Sequence, residues 1–71
     1  SSRVCVLHRN IPNMLSALSS RIAAEGINIE AMVNKSRGAY AYTLIDVAAC
    51  PSEETVRALA AENGVIRVRV L

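Results

Sequence analysis

The hydrophobic positions along the chain follow two different periods, and the changes between them divide the chain into strands and helices. The first stretch, Arg3–His8, is β-branched and apolar, which predicts a strand. From about Pro12 to Glu25 the apolar residues recur at helical spacing and make one stripe of Leu15, Leu18 and Ile22, widened by Met14 and Ala23. Pro12 suits the first turn of this helix, and Gly26 is typical of the residue that ends one.

The middle of the chain predicts a β-hairpin. Ile27–Ser36 alternates between apolar and polar residues, and its apolar face holds Ile27, Ile29, Ala31 and Val33. Arg37 and Gly38 form the predicted turn. Ala39–Val47 is the returning strand, with Ala41, Thr43, Ile45 and Val47 on one face and Tyr40, Tyr42, Leu44 and Asp46 on the other.

The last part of the chain predicts a second helix and a final strand. Ser52 follows Pro51 as the expected N-cap, and Glu53 and Glu54 fall in the first turn, where the helix dipole favours carboxylates. The apolar stripe of this helix is Val56, Leu59 and Ala60, and Asn63-Gly64 ends it. The final strand, Val65–Leu71, alternates, with Ile66, Val68 and Val70 on one face and Arg67 and Arg69 on the other.

The order of these elements predicts one α+β domain over residues 1–71, of the ferredoxin-like βαββαβ class. Two βαβ units joined by a hairpin give a four-stranded antiparallel sheet with both helices on one face. The fourth, first, third and second strands then follow one another across the sheet, so the second and fourth are its edges. The residues that we expect to be buried between the helices and the sheet are Leu15, Leu18, Ile22, Val56, Leu59, Ile66 and Val68.

Composition excludes several classes of function. Apolar residues make up 52% of the chain, but Trp and Phe are absent, so the core must be aliphatic. A net charge of +2, from cations scattered along the sequence, does not predict binding to nucleic acid. An RNA-recognition module of this fold also needs aromatic residues on the first strand, which has none. No apolar run approaches the ~20 residues of a membrane span, and no signal peptide is visible, so no membrane partner is expected.

The reactive residue types are few. Cys5 and Cys50 are too far apart for a CxxC motif, and His8 is the only histidine, so we expect no metal site. Both thiols are expected to be buried and reduced, in a cytoplasmic protein. His8 has no carboxylate near it in sequence, and no nucleophile and base are paired, so we expect no catalytic residue in this chain.

The stretch HRNIPNML, from His8 to Leu15, carries more polar groups than a loop between a strand and a helix needs. If the helix starts near Pro12, the backbone N–H groups of Asn13, Met14 and Leu15 are unpaired and form an anion site. Asn10 adds amide donors and a carbonyl acceptor, and His8 adds a donor or an acceptor. The loop therefore offers partners for the carboxylate and the ammonium of an amino acid. The alternative is that Asn10 or Asn13 only caps the helix and that His8 is a satisfied histidine at the end of a strand.

The sequence resembles the regulatory ACT domain at the C-terminus of D-3-phosphoglycerate dehydrogenases, the first enzymes of serine biosynthesis. The likeness covers essentially the whole chain, and its most specific parts are HRNIPNML, EGINIEAM (Glu25–Met32), NKSRGAYAYTLIDV (Asn34–Val47) and the terminal IRVRVL. In this family the first motif often reads His-x-Asn-x-Pro-Gly, and the feedback inhibitor L-serine binds there, between two ACT domains.

The resemblance implies roles for particular residues. His8 and Asn10 match the loop residues that contact the effector, and Asn28 matches an asparagine supplied by the partner domain. Asn13 stands where the family often has Gly; Asn tolerates positive φ, so the turn can be kept. With the N–H group of Met14, the expected effector site is His8, Asn10, Asn13, Met14 and Asn28.

The resemblance also implies a larger parent. The chain begins with Ser-Ser and no Met, so we expect a C-terminal fragment of an NAD-dependent dehydrogenase, with no cofactor bound by the fragment itself. The alternatives are a homo-oligomerisation module without a ligand, an ACT domain that responds to another amino acid, and another ACT-bearing parent.

The two sheet edges predict a homodimer. Arg67 and Arg69 lie on the fourth strand, where charges discourage the addition of another strand. The second strand, Ile27 to Ser36, has only Glu30 between Ile27 and Asn34, so its edge is the open one. Antiparallel pairing of two copies along it would bring Asn28 of one chain towards His8 and Asn10 of the other.

Overall fold

The computed structural model describes residues 1–71, and its elements follow the predicted order. They are β1 (Ser2–Arg9), α1 (Met14–Ala24), β2 (Ile29–Arg37), β3 (Tyr40–Val47), α2 (Glu53–Ala61) and β4 (Val65–Val70). The sheet order is β2-β3-β1-β4, and every neighbouring pair is antiparallel. The predicted ferredoxin-like architecture is confirmed. Neither helix is long and apolar enough to cross a membrane.

The core lies between the helices and one face of the sheet. Leu18 and Ile22 of α1 and Leu59 of α2 are fully buried in a single cluster. The strand residues of the same cluster are Val4, Val6, Ile45 and Val47, with Met14 at its end. The cluster contains no aromatic side chain, as the composition predicted.

The two helices begin in different ways. The Ser52 hydroxyl caps α2 by accepting the N–H of Thr55 at 3.2 Å, as predicted. Asn13 precedes α1 with φ of 67° in the left-handed region, and its side chain makes no capping hydrogen bond. Asn13 therefore supplies a backbone conformation that Gly would adopt freely, rather than a cap.

The predicted face of β2 is wrong because the strand contains a bulge. Ile29 pairs with Val47 and Ala31 pairs with Asp46, which leaves Glu30 as an extra residue. After the bulge the two faces exchange, so Ala31 and Val33 point away from the helices. The residues that turn to the helix side are Met32, Asn34 and Ser36, opposite Ile45, Thr43 and Ala41.

A second bulge corrects the prediction for β4. Val65 pairs with His8 and Arg67 with Leu7, so Ile66 is the extra residue and is 52% exposed. Val68 and Val70 keep their inward position and are half-buried.

The helix stripes also differ from the prediction. The buried line of α1 is Met14, Leu18 and Ile22, while Leu15 is 37% exposed and Ala23 is exposed. The helix begins at Met14 and is rotated so that this side chain enters the core. In α2 only Leu59 is buried; Val56 is half-buried and Ala60 is exposed.

The sheet face opposite the helices is uncovered, and the fold gathers cations on it. Strand pairing places six of the eight Lys and Arg residues on this open face: Arg3, Arg9, Lys35, Arg37, Arg67 and Arg69. Asp46, a carboxylate on the same face, accepts from Arg3 at 2.7 Å, which holds the pKa of Asp46 below its ordinary value. Cys5 on this face is buried as expected, whereas Cys50 is exposed, contrary to expectation, because it lies in the turn before α2.

Candidate functional site

A small cavity lies where the first loop passes from β1 into α1. Its volume is about 230 Å³, and it is lined by His8, Asn10, Ile11, Asn13, Met14, Leu15, Ser16 and Asn34. Four of the five predicted effector residues therefore lie together around one space. Leu15, expected in the core, forms part of its wall.

Two turns hold the first loop in place. The N–H of Arg9 donates to the carbonyl oxygen of Gly64 at 2.8 Å, and the N–H of Asn10 donates to that of Ala39 at 2.8 Å. The Asn10 side-chain amide donates to the carbonyl oxygen of Gly38 at 3.2 Å. Asn10 thus uses one amide hydrogen to fix its own position, and its carbonyl oxygen remains available as an acceptor.

His8 is only 2% exposed, and both of its ring nitrogens are hydrogen-bonded inside the protein. Nδ1 lies 2.8 Å from the carbonyl oxygen of Arg9, and Nε2 lies 2.7 Å from Oγ1 of Thr43. Oγ1 of Thr43 is in turn 2.9 Å from Oδ1 of the Asn34 side chain. The ring of His8 is therefore linked to the cavity by hydrogen bonds through the side chains of Thr43 and Asn34.

Sequence reasoning missed Thr43 and Asn34. Thr43 had one available signal, because it is the only polar residue on the inward face of β3 and a buried hydroxyl needs a partner. Asn34 had none, since simple alternation placed it on the wrong face and only the bulge at Glu30 turns it towards the cavity.

The first turn of α1 contributes backbone donors. The N–H of Ala17 donates to the carbonyl oxygen of Asn13 as the first hydrogen bond of the helix. The N–H groups of Met14, Leu15 and Ser16 precede it and have no acceptor within the helix. No acidic side chain lies in this turn, so its partial positive charge is not neutralised locally.

Asn28, the fifth predicted residue, lies elsewhere in the same chain. It precedes Ile29, which pairs with Val47, whereas His8 pairs with Ala41 and lies level with Ser36 at the other end of the sheet. Its carbonyl oxygen accepts the N–H of Ala48 at 3.0 Å, and its side chain is exposed. One copy of the chain therefore does not bring Asn28 to the cavity.

A larger cavity of about 540 Å³ lies between α2 and the outer edge of β4. It is lined by Cys50, Pro51, Glu53, Val56, Arg57 and Val70. It has no ordered network of polar groups comparable to that around His8, so size alone does not make it the better candidate.

Comparisons with known proteins bear on this arrangement. No family model matches the chain. The D-3-phosphoglycerate dehydrogenase of Escherichia coli strain K12 is 34% identical over 71 residues, which cover 97% of this chain and 17% of that protein. Among solved structures, the ACT domain from the GTP pyrophosphokinase of Chlorobium tepidum superposes with a TM-score of 0.80 at 14% identity, covering 99% of this chain and 95% of that one.

The chain has the fold of an ACT domain. A further structural relative is the ligand-free regulatory subunit of aspartate kinase from Thermus thermophilus, with a TM-score of 0.78 at 15% identity over 99% of this chain and 49% of that one. The chain spans about a sixth of the length of the curated dehydrogenases that it matches. The predicted resemblance, and the fold that it implied, are confirmed.

Proposed function

We propose that this chain is an ACT domain that binds a small amino acid in the cavity at the first loop and regulates a D-3-phosphoglycerate dehydrogenase. L-serine is the first candidate effector, and the parent is an NAD-dependent oxidoreductase of cytoplasmic serine biosynthesis. The supporting observation is that His8, Asn10, Asn13 and Met14 surround one cavity of about 230 Å³. That volume lies below the ~300–1,000 Å³ of pockets that bind drug-sized ligands. It is therefore suited to a smaller ligand with only a few heavy atoms, such as serine.

The groups around the cavity match the two charges of an amino acid. The unpaired N–H groups at the start of α1 suit the carboxylate. The carbonyl oxygen of Asn10 is an acceptor for an ammonium or a hydroxyl group. Homology to a curated dehydrogenase over 97% of the chain supports the same choice of parent.

The proposed site includes Asn28 of a second copy. All β2 residues from Glu30 onward are exposed, and the outer edge of this nine-residue strand has no partner strand. Antiparallel pairing of two β2 strands would place the start of one level with the end of the other, near the partner's first loop. A homodimer would then complete the effector site.

Isothermal titration calorimetry of the natural full-length chain with L-serine tests the proposal, with D-serine as the stereochemical control. Asn10→Ala should weaken binding by ~1–3 kcal/mol through lost hydrogen bonds to a charged ligand. A protein that folds normally but gives no heat with L-serine would exclude serine as the effector. The other proteinogenic amino acids should then be titrated in the same way.

A second candidate function is dimerisation without a ligand. The open edge of β2 favours it by itself, because a dimer formed there needs no effector. The two functions differ in one measurement: the dissociation constant of the dimer should fall when serine is added only if effector and partner share a site.

A further inference from the structure

A chain of hydrogen bonds crosses the sheet beneath the cavity. It runs from the carbonyl oxygen of Arg9 through His8 and Thr43 to the side chain of Asn34, with steps of 2.8, 2.7 and 2.9 Å. His8 and Thr43 are 2% and 0% exposed, whereas Asn34 is exposed and lines the cavity. This series of hydrogen bonds is therefore buried at His8 and Thr43 and ends at a side chain that lines the cavity.

Counting hydrogens fixes the direction of the chain. The carbonyl oxygen of Arg9 can only accept, so Nδ1 of His8 must carry a hydrogen. A neutral imidazole has a single N–H, and Nε2 must then accept the hydroxyl hydrogen of Thr43. Since that hydroxyl has no second hydrogen, it cannot also donate to Oδ1 of Asn34, the atom that the structure places 2.9 Å from it. Thr43 must instead accept from the NH₂ group of Asn34.

The orientation of the Asn34 amide follows. A half-turn of the amide, which exchanges two atoms that are nearly indistinguishable, brings its NH₂ group to Thr43. The carbonyl oxygen is then left free of Thr43, on a side chain that lines the cavity. The opposite orientation, with the carbonyl oxygen towards Thr43, needs hydrogens on both ring nitrogens of His8. That would bury a cation at 2% exposure with no carboxylate partner, which is costly.

We infer that Asn34 recognises the α-ammonium group of the effector through this carbonyl oxygen. The inference rests on the proposed amino-acid-binding function and adds the residue that binds the ammonium group. The start of α1 lines the same cavity and suits the carboxylate. His8 and Thr43 are positioning residues, which hold the amide of Asn34 in the accepting orientation. The site should therefore select α-amino acids over acids that lack the amino group.

Titration calorimetry of the natural full-length chain with L-serine and with 3-hydroxypropanoate, which is serine without its ammonium group, tests this assignment. The wild-type protein should prefer serine by about 10–100-fold, the value of a hydrogen bond to a charged group. Asn34→Leu should reduce this ratio towards one by weakening serine alone. Ser36→Ala is the matched control, since Ser36 shares the strand and face of Asn34 but does not line the cavity.

A second pair of variants separates positioning from a general loss of structure. Thr43→Val removes the hydroxyl that orients Asn34 and should lower the ratio, whereas Thr43→Ser keeps the hydroxyl and should restore it. Far-UV circular dichroism checks that each variant is folded. Equal weakening of both ligands in Asn34→Leu, or an unchanged ratio, would overturn the inference. Absence of serine binding by the wild-type protein would instead be a failure of the proposed function.

Discussion

Gly64 lies beneath the first loop and offers a sharp test of how the loop is supported. It has φ of 97°, and a Cβ atom added there would lie 2.8 Å from Cδ1 of Ile11 and 3.4 Å from Sδ of Met14. Its carbonyl oxygen also accepts the N–H of Arg9. Gly64→Ala therefore places both backbone strain and a steric contact next to the candidate site.

The backbone should dominate the cost of this substitution. A non-glycine residue held in a sparsely populated region costs ~1–3 kcal/mol. The contact with Ile11 adds less, because Cδ1 is the end of a flexible side chain that is 37% exposed and can rotate away. Each kcal/mol lowers the Tm of a domain of this size by roughly 4–8 °C.

Urea unfolding followed by circular dichroism measures the effect. Gly38→Ala is the matched control, because Gly38 has φ of 61° and nothing within 4 Å of an added Cβ. That value lies in the ordinary left-handed region, so Gly38→Ala should cost less. If adding Ile11→Ala to the Gly64→Ala variant restored the stability of the unaltered protein, the steric contact would be the cause of the loss. That result would refute the argument from φ.

Three further predictions concern the core, the carboxylates and the sheet edge. Leu18→Ala should destabilise the domain by ~2–5 kcal/mol in urea unfolding, because Leu18 is fully buried; a loss below ~1 kcal/mol would show that the core can collapse around the gap. The pKa of Glu25 lies below its ordinary value of 4.5, through hydrogen bonds from the Thr55 side chain and the Ser52 N–H, and that of Asp46 lies below 3.8 beside Arg3. Both carboxylates contribute stability that is present above their ordinary pKa values and is lost as the pH falls through their lower pKa values in the folded protein. Glu25→Gln should therefore flatten the acid side of the plot of unfolding free energy against pH. An unchanged acid side would contradict this. Sedimentation velocity at micromolar concentration should show a dimer. The inward-pointing Met32→Lys and the edge-blocking Val33→Pro should each reduce the dimer fraction. A monomer in the unaltered protein would leave Asn28 without its proposed role.

The order of elements was predictable because each one has a strong local signal. The capping hydroxyl of Ser52 and the alternation of β3 needed no tertiary information, and both are confirmed. The bulges at Glu30 and Ile66 were not predictable, since a period of two assumes that pairing continues without an extra residue. One inserted residue exchanges the faces of everything after it.

The candidate site was predictable only where its residues are close in sequence. His8, Asn10, Asn13 and Met14 fall within one loop and its helix start, and they line one cavity. Thr43 lies 35 residues from His8, and their hydrogen bond depends on the register between β1 and β3. Asn34 joins them only because the bulge turns it inward. The resulting chain of polar groups is a tertiary property.

The separation of charge between the two sides of the sheet gives the domain an electric dipole moment perpendicular to the sheet. The cations of the open face oppose a helix side that carries Glu25, Glu53, Glu54 and Glu62 but only Arg21 and Arg57. Two domains joined edge to edge along β2 would place these dipoles side by side and parallel, so they would repel one another. Added salt screens such repulsion over a Debye length of ~10 Å at 0.1 M. The dimer of this domain should therefore tighten as the ionic strength rises, the reverse of an interface held by ion pairs.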